Sequence, residues 1–271
     1  LLEDSDALEA FRFANRAMAD QRIRSIYSKQ RRRGVETSLL EIDVPKNRSW
    51  RAFQLAFLLL SIPSLTNPEH LDRSNPLEAH ADLLWFPTGG GKTEAYLGVA
   101  SFAMAIRRLK KDLGGYDGSR GLAVIMRYTL RLLTLQQFQR GTTLLCAMEL
   151  LRRSDEDKWG TEPFTLGLWV GNSVTPGDTK SSKEVVASLR NGNRGHLGKG
   201  SPHQLSSCPW CGSEIKPERN IVSDEKIKQT AIYCGDERGR CEFSLTRSQS
   251  AKHPGLPVKV VDEEIYHRPP T

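Results

Sequence analysis

The chain has 271 residues, 38% hydrophobic and 26% charged, with a net charge of +7. This is the balance of a soluble globular protein with room for one large or two small domains. The longest apolar stretch, Ala52-Phe53 and then Leu55 to Ile62 with one serine, is well short of the roughly 20 residues of a membrane span. No basic-then-apolar leader opens the chain, so neither export nor a membrane role is expected and a cytoplasmic location is. The positive balance mildly favours a polyanionic partner, nucleic acid above all. The chain starts at Leu1 rather than Met and stops at Thr271 just after two prolines; we expect it to be an N-terminal piece of something longer.

In chain order, residues 1–35 predict a charged amphipathic helix, with Asp6 and Glu9 at capping-box spacing and Leu8, Phe11, Ala14 and Met18 along one face. A second, more apolar helix is predicted over 49–61, and a polar, proline-rich loop from Pro63 to about Pro76. The pattern then alternates. Leu83-Leu84-Trp85-Phe86 predicts a short buried strand, and Lys92 to about Lys111 a helix ending near Gly114-Gly115. Leu122-Ala123-Val124-Ile125-Met126 predicts a second strand, Leu130 to about Arg153 a long helix, and Leu166-Gly167-Leu168-Trp169-Val170 a third strand. Strands alternating with helices imply an α/β fold on a parallel, doubly wound sheet. Residues 171–207 show no sustained periodicity and predict an exposed, partly mobile segment. Val258 to Ile265 again has strand character.

Between the first predicted strand and its helix lies Pro87-Thr88-Gly89-Gly90-Gly91-Lys92-Thr93. A strict phosphate-binding loop would have glycine where Phe86 stands; the remainder is intact. The three glycines allow positive φ and leave room for backbone N–H groups to face phosphate oxygens. Lys92 can reach the β- and γ-phosphates of ATP, the Thr93 hydroxyl can ligate Mg²⁺, and the helix start favours an anion. The bland alternative is an ordinary glycine-rich turn, which the strand–loop–helix context disfavours.

This loop resembles motif I of superfamily 2 helicases. Trp50-Arg51-Ala52-Phe53-Gln54 resembles their Q-type motif, which would make Gln54 the reader of an adenine edge; otherwise it is a helix-surface glutamine. Arg127-Tyr128-Thr129-Leu130-Arg131 looks like motif Ia, whose Thr and Arg hold the phosphates of one nucleic-acid strand. Arg127, Thr129 and Arg131 are the residues this resemblance selects, against the alternative of a charged cap on a packing helix. Taken together with Cys-Pro-Trp-Cys-Gly and Val-Asp-Glu-Glu-Ile-Tyr, these motifs resemble the helicase subunit of the DISARM anti-phage defence system over most of the chain. The resemblance implies a RecA-like domain in an ATP-dependent DNA helicase or translocase, working beside a partner subunit and a methyltransferase.

The chain has five cysteines. Cys146 stands alone in an apolar helix. Cys208 and Cys211 form one pair, Cys234 and Cys241 a wider one made feasible by Gly235 and Gly239. Four thiolates suit a closed, structural zinc site without catalytic function; a disulfide pair and an iron–sulfur cluster are the alternatives. His196, His203 and His253 lie nearby and could replace a thiolate. Basic neighbours (Lys216, Arg219, Lys226, Lys228, Arg238 and Arg240) permit DNA contact.

Val260-Val261-Asp262-Glu263-Glu264 imitates a strand ending in a catalytic Asp-Glu pair. The short strand after Pro257, containing Lys259, argues against that role. The expected organisation is therefore an accessory helical region over 1–48, a first RecA-like domain over 49–176, a zinc-binding insertion over 177–256 and a truncated return to the RecA-like domain over 257–271. The competing function is a zinc-containing nucleic-acid-binding protein with a nucleotide-dependent switch and no translocation. A phosphate-loop kinase is disfavoured, because no substrate lid is visible.

Overall fold

A computed structural model describes residues 3–75, 77, 81–85, 87, 89–128, 131–191, 200–250 and 255–271, with the backbone alone at 131–133 and 250. From the N-terminus run α1 (Ser5–Arg32), α2 (Leu39–Ile42), a 3-10 turn at Pro45–Asn47, α3 (Ala52–Thr66), α4 (Leu71–Ser74), α5 (Lys92–Lys110), α6 (Arg131–Ser154) and α7 (Glu156–Trp159). The C-terminal half adds β1 (Leu166–Gly167), α8 (Thr179–Arg190), α9 (Pro217–Asn220), β2 (Ile221–Asp224), β3 (Gln229–Ile232), α10 (Leu245–Ser250), β4 (Val258–Lys259) and α11 (Asp262–His267). No described helix is long and apolar enough to cross a membrane.

The 28 residues of α1 make a rod about 42 Å long at about 1.5 Å per residue. Its cap is Asp4, whose carboxylate accepts from Ala7 N at 2.9 Å. That bond, with help from Lys110, holds the Asp4 carboxyl below the usual carboxylate range. The expected Asp6 and Glu9 box does not form. Asp6 already lies inside the helix, where a cap cannot act, and Glu9 reaches Lys158 at 3.0 Å. Ala7, Ala10, Ala14 and Ala17 are buried along one face. Such small side chains let helix axes approach closely, and α1 packs on both α5 and α6. Phe13 fills the remaining volume, with its ring 4.2 Å from Trp159 and 5.9 Å from Phe164.

Helix α5 is buried nearly all round from Ala95 to Ile106, as expected of a central helix. On its far side α3 packs, and the Trp50 ring lies on Gly98, where any Cβ would come within 2.8 Å of it. The indole N–H donates to Asn15 Oδ1 at 2.7 Å, tying this corner back to α1. Helix α5 stops at Lys110, with Lys111 at positive φ. Gly114 and Gly115 shape the turn beyond rather than cap the helix.

The sheet differs most from expectation. Leu166 and Gly167 pair in parallel with Val258 and Lys259, and no other parallel strands pair among the described residues. Residues 81–85 and 122–128 are not strands. Leu83, Trp85 and Ile125 are 85%, 82% and 79% exposed. A strand needs neighbours on its edges to take up its N–H and C=O groups, and these segments have no such ladder. Phe86, the last residue of the first predicted strand, lies outside the described residues. Beyond β4 the chain turns into α11 instead of continuing as a strand.

The described parts of the segment 171–207, at 171–191 and 200–207, hold more structure than their composition suggests. Asp178 caps α8 by accepting from Ser181 N at 2.6 Å, and Thr179, Ser182, Val185 and Val186 are buried. Two of these four buried residues are polar, so apolar residues alone do not trace the buried face in the sequence. The antiparallel hairpin β2–β3 packs against this helix.

Replacing Phe13 with alanine removes the aromatic contact between α1 and the 159–164 region. The expected cost is about 3–5 kcal/mol in denaturant unfolding; a loss under about 1 kcal/mol would contradict the packing described.

Candidate functional site

The glycine loop is held from beneath by the start of α3. Gln54 is 5% exposed. Its amide nitrogen donates to Gly91 O at 2.8 Å, while its amide oxygen accepts from Arg51 N at 2.9 Å. The Arg51 guanidinium donates to Gly90 O at 2.7 Å. Two consecutive loop carbonyls are thus held by two side chains one helical turn apart. Gly90 N donates to Pro87 O at 3.0 Å, closing the turn. Gly91 has φ +93°, and a Cβ there would sit 2.6 Å from the Gln54 amide nitrogen; a side chain is excluded twice over.

Lys92 and Thr93 open α5 half-buried. Glu94, in the same first turn, pairs with Arg140 of α6. Arg127 is exposed at the end of the unpaired 122–128 segment. Thr88 and Thr129 lie outside the described residues, as does the side chain of Arg131, although its backbone begins α6. Arg51 was not singled out in the sequence. Its signal was faint, a basic residue at a helix start, and only the fold brings it to the loop.

The four paired cysteines converge. Cys208, Cys211, Cys234 and Cys241 are buried, with sulfurs all within 4.8 Å of one another. Cys211 and Cys234 sulfurs are 3.2 Å apart, Cys208 and Cys241 4.0 Å. A tetrahedral zinc with Zn–S near 2.3 Å places its sulfurs about 3.8 Å apart, whereas a disulfide needs about 2.05 Å. The cluster therefore fits a metal ion such as zinc. Burial pushes the Cys208 thiol well up, while hydrogen bonds from the other thiols pull Cys211 down. Four buried thiolates repel one another, and a divalent cation removes the conflict.

The wide Cys234–Cys241 loop has two supports. The Asp236 carboxylate accepts from the backbone N–H of Arg240 and of Cys241, both at 2.7 Å. Gly235 passes so close to the Glu214 carbonyl that a Cβ would overlap it. His203 is not a ligand: its Nε2 lies 3.0 Å from Ile215 O. His196 and His253 fall outside the described residues. Cys146 is fully buried in α6, and desolvation drives its thiol well above the ordinary range.

The cysteine knuckle docks on α1. Gly212, at φ +84°, brings its backbone against Ser28, where a Cβ would lie 2.7 Å from the carbonyl oxygen. The Arg24 guanidinium stacks 4.2 Å above the Trp210 ring, whose N–H donates to Glu242 at 3.0 Å.

Two of the three carboxylates at 262–264 are engaged with the rest of the fold, while one Asp262 oxygen is buried without a hydrogen-bond partner among the described residues. Glu263 accepts from Thr179 N and Oγ1 at 3.1 and 3.0 Å and pairs with Lys228 at 2.8 Å. The Lys228 bond, above all, draws its pKa down to about 2. Glu264, 3% exposed, accepts from Thr230 N at 3.1 Å. These carboxylates join α11 to α8 and β3.

Metal analysis is expected to find about one zinc per chain, with Cys211→Ser losing it. Because thiolates must be deprotonated to bind, the metal is retained at neutral pH and released as the pH falls. A folded, metal-free protein at neutral pH would reject the site.

No protein-family model matches the chain. It aligns with the DISARM protein DrmA of Bacillus paralicheniformis (strain ATCC 9945a / NCIMB 11709 / CD-2) at 37% identity over 274 residues, which is 99% of this chain and 23% of that protein. Over nearly its whole length, then, this chain is similar to the DISARM protein DrmA, and it spans 23% of DrmA's length.

Proposed function

We propose that the chain is the ATP-binding part of a DNA helicase or translocase acting in DISARM-like anti-phage defence. The observation that carries this reading is the loop at the start of α5. A glycine turn with Gly89 and Gly91 at positive φ, its carbonyls held by Arg51 and Gln54, opens a 19-residue helix with Lys-Thr. The first turn of a helix offers backbone N–H donors and a positive dipole end. With the carbonyls drawn back, that end suits the phosphates of ATP. Lys92 would meet the β- and γ-phosphates, Thr93 would ligate Mg²⁺, and Thr88 to Gly91 would wrap the phosphate chain.

The RecA-like reading of the surrounding sheet draws support from Thr271. Its N–H donates to Thr165 O at 3.0 Å and its C=O accepts from Ala123 N at 2.7 Å, which brings the 122–128 segment beside the region of β1. In that reading Arg127, Thr129 and Arg131 follow the phosphates of one DNA strand. The cysteine cluster is a structural zinc centre. Because Glu263 and Glu264 hold the fold together, we assign no catalysis to the 262–264 run. ATP hydrolysis, DNA translocation, a partner subunit and a cytoplasmic setting are proposed for a longer protein of DrmA's kind.

Lys92→Ala is expected to abolish ATP-dependent activity of the full-length protein; undiminished DNA-stimulated hydrolysis would sink the assignment. Gln54→Ala separates two roles for its amide. Loss of loop support weakens ATP and GTP binding alike, by about tenfold for a buried hydrogen bond. An adenine reader would lose ATP affinity alone. Equal losses are expected, given both amide ends are bound to the chain.

A further inference from the structure

Beside the cysteine centre lies an open cleft of about 720 Å³. Its walls come from separate parts of the chain: Arg31 from the end of α1, Lys216 and Arg219 around α9, and Arg238 and Arg240 from the Cys234–Cys241 loop. Three carboxylates share the lining, Glu214, Asp236 and Glu237, and each is already occupied. Glu237 pairs with Arg219 at 2.9 Å and Glu214 with Lys216 at 3.9 Å. Asp236 takes the backbone N–H groups that close its own loop.

What remains is cationic. Arg31 donates to the Tyr27 hydroxyl at 3.0 Å, a neutral partner, and it feels Asp236 only at a distance, without a contact ion pair among the described residues. Arg238 and Arg240 are exposed, and neither guanidinium has a carboxylate partner among the described residues. Three guanidinium groups around one cleft suit ligands that present anionic oxygens in pairs. The cleft has the size of a site for a ligand of one or two nucleotides, and its openness suits a chain that continues on both sides.

We propose that this cleft is a second DNA track, gripping one strand through its phosphodiester backbone at a place separate from Arg127. The identity of the polyanion rests on the reading of the protein as a DNA motor; the cleft itself does not depend on the nucleotide loop. The cysteine centre has a part in it. It holds the Cys234–Cys241 loop, and the Gly212 and Trp210 contacts set that loop against α1, so Arg238 and Arg240 face Arg31 across the gap.

The test is fluorescence anisotropy with a labelled DNA oligonucleotide and the full-length protein, without nucleotide, across about 50 to 200 mM salt. R238A/R240A is expected to weaken binding about tenfold and to flatten the log–log salt slope by about 1.4, two strand phosphates' worth. E237Q, which removes an acid from the rim, should strengthen binding by about twofold. K92A should leave oligonucleotide affinity unchanged while removing ATP-dependent activity, so failure of the motor reading shows in turnover and failure of the cleft shows in affinity. Unchanged affinity and slope in R238A/R240A, with zinc content and melting equal to wild type, would overturn the proposal. So would E237Q binding no more tightly than wild type.

Discussion

Close packing of one long helix against two others underlies most of what this chain does. Helix α1 can lie along α5 and α6 because Ala7, Ala10, Ala14 and Ala17 line its buried face, and small side chains permit short interaxial distances. That contact sets two remote features. At one end, Lys110 at the close of α5 meets Asp4 at 3.0 Å. At the other, the cysteine knuckle sits on Ser28 and Arg24. Helix α1 is thus a strut that relates the helix of the glycine loop to the cysteine cluster.

The most deeply buried carboxylate of this assembly is satisfied by a network. Glu149 is 1% exposed. It accepts both arms of Arg152 at 2.9 and 2.7 Å, Arg153 at 2.9 Å and Phe164 N at 3.0 Å. A carboxylate taken from water is tolerable only with such full compensation. The network fixes how the end of α6 meets the segment leading to β1. Arg108 lies near it against the Phe164 ring, and burial lowers its pKa to about 10. The same economy operates at the glycine loop, where Arg51 and Gln54 take up the carbonyls of Gly90 and Gly91.

The cysteine module follows a different logic. Trp210, Ile215, Ile221, Ile232 and Phe243 bury its apolar side in the same core as α1 and α6. A metal ion held by the four cysteines would add to that packing. The hydroxyl cluster of Ser182, Ser223 and Thr230, spaced at 2.9 to 3.1 Å, and the carboxylates of α11 attach it to α8. That places its basic loop opposite the basic end of α1.

Local chemistry was legible in the sequence. The glycine loop, the helix that follows it, the long helices α1 and α6 and the cysteine pairs are each signalled within a few residues, because turn geometry, helical periodicity and chelation are short-range demands. The strands were not legible in the same way. Residues 83–86 and 122–126 have strand composition, but a strand exists only where a neighbour supplies its hydrogen bonds, and that depends on distant backbone. Gln54 shows the same division. Its place near the loop follows from motif and helix, whereas its bond to Gly91 arises from the packing of α3 on α5. Asp262 to Glu264 imitate a catalytic run in sequence, and only the three-dimensional structure shows that Glu263 and Glu264 are tied to Thr179, Lys228 and Thr230. The sequence by itself determined the glycine loop and the four cysteines that converge in one cluster. Tertiary structure decided which of their atoms remain available, because hydrogen bonds and ion pairs between distant segments are set by packing rather than by spacing along the chain.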